Sequence, residues 1–260
     1  MRSSFSSSTL VRLLGAWTPA QTEPPGLDVA ERLSLWVNAF DAIRLQGAHQ
    51  AIASLGRAQP RSAPARRARA PALAQDVQRV RSVLTKAIAQ EPGPVVETAL
   101  TPADLRRLAR AAAQPAGVGD DASYAPWRQR HLELQRQMEL MIPPLREHVR
   151  QALASASPQL HQLAALDAVL EQVLAPREQK LLPTVIERME RRFAGLRTTH
   201  LQAVQDGGQH DDPAAWRRPG GWLDQFAQDW RQLLAAELDL RLQPVTGLVE
   251  ALSKHLNEQQ

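Results

Sequence analysis

The chain contains no cysteine, which excludes disulfides, thiolate zinc sites and cysteine nucleophiles. Aromatic residues make up only 4% of it, and lysine occurs at three positions, Lys86, Lys180 and Lys254. No apolar run approaches the roughly 18 to 20 residues that would span a bilayer. No Gly-Lys pair offers a phosphate-binding loop, no G-x-G-x-x-G occurs, and no serine stands between glycines as a nucleophile elbow. None of the seven histidines follows a glutamate by three positions, which removes the ligand pattern of di-iron bundles. These absences leave no catalytic constellation and no cofactor or metal fingerprint, so the expectation is a protein that is not an enzyme.

Leucine and alanine carry most of the 43% hydrophobic content. They favour helix, since the β-branched and aromatic residues that strands prefer are scarce. The reading is an all-α, elongated bundle of about six to eight amphipathic helices, several of them kinked by proline. Its spine runs from Tyr124 to Val204. Trp127, His131, Leu134, Met138, Met141 and Leu145 share one helical face, and Pro143 and Pro144 predict a break or sharp kink, because an interior proline costs roughly 3 kcal/mol. Ser157 and Pro158 read as a cap and first turn, opening a stripe of Leu160, Leu163, Leu166, Leu170, Val173 and Leu174. Beyond Pro176 and Pro183, the residues Leu182, Ile186, Met189, Phe193, Leu196 and His200 form a heptad seam. Core packing is the first reading of that seam. The sharper one pairs it with another protein or a second copy, through Leu182, Ile186, Met189, Phe193 and Leu196.

Before the spine, Leu10, Leu13, Leu14 and Trp17 share a short helical face. Asp28 predicts a second helix with Leu33, Trp36, Val37, Phe40 and Ile43 inward, weakened at Gly47. Asp76 to Gln90 reads as a helix burying Val77, Val80, Val83, Leu84 and Ile88, and Thr101 as the start of a short one with Leu105 and Leu108. After the spine, Gln205 to Gly221 reads as a loop. Its His210, Asp211 and Asp212 are too close together for a closed coordination shell. Trp222, Phe226, Trp230, Leu233, Leu234, Leu238 and Leu242 then form a stripe that breaks at Pro244 and resumes through Leu256. Carboxylates such as Asp224, Asp229, Glu237 and Asp239 read as exposed and without an acid-base role.

Charge is uneven. Between Asp41 and Asp76 there is no acidic residue, while Arg44, Arg57, Arg61, Arg66, Arg67 and Arg69 are basic. Residues 56–75 therefore read as a disordered Arg/Pro/Ala linker between an N-terminal helical segment, 1–55, and the main bundle, 76–260. The alternative function lies here: a nucleic-acid-associated protein contacting phosphate through Arg57, Arg61, Arg66, Arg67 and Arg69. No aromatics interleave these arginines to stack bases, which favours the plain linker. Arg12 splits the apolar patch near the N-terminus, so no signal peptide is expected, and the expected location is the cytoplasm.

Four stretches resemble one family: SSTLVRLL (Ser7 to Leu14), ERLSLWVNAFDAIRL (Glu31 to Leu45), LDAVLEQVL (Leu166 to Leu174) and LLAAELDLRLQPVTGLVEAL (Leu233 to Leu252). The chain resembles the bacterial domain-of-unknown-function family 3348 of Burkholderia-like proteobacteria, whose resemblance carries over no catalytic residue. The resemblance implies a gene neighbourhood with an OmpA-like protein and a coiled-coil inner-membrane protein. That in turn implies an accessory role, peripheral to the inner membrane, by contact with a protein partner in a cell-envelope complex.

Overall fold

Side chains that recur every three or four positions over thirty residues or more can bury a continuous stripe only against equally long neighbours. The computed structural model of the chain, which describes residues 9–17, 39–54, 63–92, 123–208 and 210–258, shows that arrangement. Among the described residues there are seven helices and no strand: α1 (Thr9–Ala16), α2 (Ala39–Ser54), α3 (Ala63–Ala89), α4 (Ala125–Ala154), α5 (Pro158–Asp206), α6 (Pro213–Trp216) and α7 (Trp222–Glu258).

Specific contacts give the topology. Arg146 meets Asp167 while Tyr124 meets Ile186, so α4 and α5 form an antiparallel hairpin. Arg81 pairs with Asp239 and Glu91 with Arg231, so α3 runs antiparallel to α7. Arg192 pairs with Asp229, and His200 lies beside Trp222, so α5 is antiparallel to α7 as well. Trp127 meets Phe226 and Gln135 meets Glu237, so α4 and α7 run parallel. The four long helices are an up-down-up-down bundle. To it α1 adds a layer on α7, and α2 a layer on α5.

The hairpin opens as its sequence suggests: Ser157 is extended, its hydroxyl accepts the Leu160 amide at 3.3 Å, and Pro158 takes the first turn. Where a break or kink was expected at proline, the helices run on without a break. Pro143 and Pro144 lie inside α4, Pro176 and Pro183 inside α5, and Pro244 inside α7. Buried neighbours hold the backbone through three of them, Ile142 and Leu145 around Pro143 and Pro144, and Leu242 and Val245 around Pro244.

A second correction concerns the basic segment. Helix α3 begins at Ala63, so residues 63–75 are helical, whereas 56–62 lie outside the described residues. Alanine and arginine are strong helix formers, Pro64 falls in the first turn, and Ala70 and Leu73 give this part of the helix buried anchors. Ile43 and Val83, expected inward, are 66% and 47% exposed. The expected helix start at Asp28 and the short helix after Thr101 lie outside the described residues.

Leu73 is 1% exposed. Leu73→Ala should therefore lower stability by about 2 to 5 kcal/mol, read as a shift in the urea midpoint at unchanged slope. An unstructured linker would show no shift.

Candidate functional site

The proposed partner seam faces inward. Ile186, Met189 and Phe193 are buried in the chain's own core and Leu196 packs partly against it, while Leu182 lies on α5 with its side chain outside the described residues. Phe193 joins a row of rings: its centroid is 4.9 Å from Phe226 and 5.2 Å from Trp222, and Trp127 is 5.0 Å from Phe226 and 5.3 Å from Trp230. All four contacts are edge-to-face, the arrangement that sets a positive ring edge on a negative face. Tyr124 lies at the edge of this row and donates its hydroxyl to the Ile186 carbonyl at 3.1 Å. Burial raises the Tyr124 phenol above its ordinary range, Glu190 adds to the rise, and Arg128 opposes it. Of the arginines that the alternative reading would set against phosphate, Arg66, Arg67 and Arg69 lie on the first turns of α3, and Arg57 and Arg61 lie outside the described residues.

The largest departure from the sequence reading is Glu237, which is 3% exposed. It lies seven residues after Trp230 and four after Leu233, on the same apolar stripe, so its position was visible in the spacing even though its charge argued for the surface. Gln135 on α4 donates to both its oxygens at 3.2 and 3.3 Å, Arg241 donates from Nε at 3.0 Å, and the fully buried His131 places Nε2 3.6 Å away. Burial opposes the charge of Glu237, but His131, Arg241 and Gln135 outweigh it and hold the carboxyl below its ordinary value. His131 and Glu237 are both buried. It locks the register of α4 against α7.

A second polar cluster closes the far end, where α5 extends past the start of α4. Asp211 accepts from Trp216 Nε1 at 2.7 Å and lies 2.9 Å from His200 Nε2. Those two hydrogen bonds hold its carboxyl below the ordinary range. Asp212 caps α6 through the Ala214 amide, so both aspartates of the loop serve its geometry. Gly220 has φ +86°, and a Cβ at Gly221 would collide with the Trp216 carbonyl, which explains the glycine pair before α7. Among the described residues no group of three His, Asp or Glu side chains could hold a metal ion.

One apolar set does remain on the surface. Leu166, Leu170 and Leu174 on α5 are 40%, 38% and 47% exposed, at steps of four residues on one helical face. Asp167 and Glu171, on the neighbouring face, are engaged by Arg146 and Arg150 of α4, in contacts from 2.6 to 3.3 Å.

Fold and surface together define an all-helical bundle with an exposed leucine stripe and charged groups paired inside. The chain belongs to the family described as protein of unknown function (DUF3348), whose model matches residues 1–254. No curated protein and no solved structure matches it at a significant level.

Glu237→Ala removes the buried carboxylate that Gln135, Arg241 and His131 share, and should cost about 3 to 5 kcal/mol. Because the Glu237 carboxyl is depressed in the folded state, its contribution is present above the ordinary carboxylate range and is lost as pH falls through the folded value. Urea titrations across that acidic window should show a smaller pH dependence in Glu237→Gln than in the wild type.

Proposed function

We propose that this protein works by contact and not by catalysis, as a helical interaction protein in an assembly of the cell envelope, acting from the cytoplasmic side of the inner membrane. The observation that carries the contact reading is the leucine stripe on α5. Three leucines on successive turns, spread over about 12 Å of helix, match the spacing by which one amphipathic helix seats on another. Gln162 and Gln172 near the stripe are uncharged, so the partner best suited to it presents an apolar helical face without a strong charge of either sign. The envelope assignment draws its support from the gene neighbourhood that the family resemblance implies. No helix among the described residues is long and apolar enough to cross a membrane.

The test is a photo-crosslinking residue at position 170, in an otherwise full-length chain expressed in its native host. One defined protein should crosslink there, and Leu166→Gln with Leu174→Gln should abolish the adduct while leaving the circular dichroism unchanged. A wild-type chain that yields no protein adduct, or an adduct that persists at full level in the double variant, would overturn the assignment of this surface.

A further inference from the structure

A groove of about 620 Å³ lies between α3 and the last turns of α7, away from the leucine stripe. That volume is within the range of small-ligand sites, about 300 to 1,000 Å³. Its floor is apolar: Val77 of α3 and Val249 of α7 are both buried, and the short side chain of Ala74 leaves the space above them open. Its α7 wall is polar, with Thr246, Glu250, Ser253 and Asn257 at steps of four, three and four residues on one helical face. Gln78 faces them from α3.

Thr246 Oγ1 is buried and has no hydrogen-bond partner, so this residue offers the groove its methyl side. The hydroxyl of Ser253 donates to the Val249 carbonyl at 2.9 Å, which leaves its oxygen free to accept. The charges lining the groove are Glu250, Glu258 and Lys254, one net negative charge. Lys254 stands 3.9 Å from Glu258, whereas Glu250 has no ion-pair partner among the described residues.

We infer that this groove binds a small organic cation, an alkylammonium whose hydrocarbon body lies over Ala74, Val77 and Val249 and whose N–H groups donate to Glu250. Each part of the lining answers one part of such a ligand. An alkyl carboxylate of equal length would meet Glu250 with the wrong charge, and an alcohol would forgo the ion pair.

The experiment is isothermal titration of the full-length protein with hexylammonium, with hexanoate and hexanol as matched probes. Hexylammonium should bind saturably, and each of the other two at least about tenfold more weakly, the scale of one lost charged hydrogen bond. Glu250→Gln, at an exposed position that leaves the helix intact by circular dichroism, should weaken hexylammonium by about the same factor. Ala74→Trp should fill the groove and remove binding. Absence of saturable binding to the wild type, equal binding of hexanoate, or full affinity in Glu250→Gln would each overturn the proposal.

Discussion

Helix α5 holds the bundle in one piece only if it stays a single rod through Pro176 and Pro183. Each interior proline deletes a backbone hydrogen bond and crowds the preceding turn, at about 3 kcal/mol. The two ends of the rod are gripped by different partners. Arg146 and Arg150 of α4 hold the first part through Asp167 and Glu171, and Tyr124, Phe226 and Trp222 hold the last part around Phe193. At 49 residues and about 1.5 Å per residue, α5 spans roughly 74 Å, against about 45 Å for the 30 residues of α4. The excess length is what α6 and the connection into α7 cover, with Asp211 tying Trp216 to His200.

Within that frame the interior divides into two kinds of contact. The ring row supplies burial and edge-to-face geometry, which tolerate small shifts along the helix axes. Glu237, gripped by Gln135 and Arg241 beside His131, does not tolerate them, because a slip of one turn would leave a buried carboxylate without donors. Such a cluster adds little net stability over an apolar core but penalises every wrong register, a use for which buried polar groups are well suited. The internal positions are thereby committed to the fold, which leaves the outside of α5 and the groove beside Thr246 as the surfaces proposed for recognition.

The helices were legible in the sequence because a period of three to four residues survives any choice of partner. The inward stripes of α4, of the seam through Phe193 and of α7 could be named residue by residue. Proline was over-read as a helix break: a local cost of a few kcal/mol, decisive in a peptide, loses to burial of Ile142, Leu145, Leu242 and Val245 on either side. The Arg/Ala/Pro segment was under-read for the converse reason, since Leu73 anchors the turns before it and that anchor lies at the segment's edge. Ile43, Val83 and the α5 leucines show the limit of periodicity, which marks a face as apolar without saying which neighbour reaches it. Of the partners of Glu237, Arg241 stands four residues on in the same helix, but Gln135 and His131 come from another helix, and no local pattern could announce those two.

The leucine stripe on α5 and the end cluster at His200 have a fixed relation only if the rod between them is unbroken. The absence of native cysteine makes a clean test available: spin labels on cysteines placed at exposed Gln159 and Thr198, with the separation measured by double electron–electron resonance. The account predicts one narrow distribution centred near 58 Å, the rise of 39 residues of continuous helix. A broad distribution, or one displaced to much shorter distances, would mean that α5 breaks at its prolines, and would contradict it.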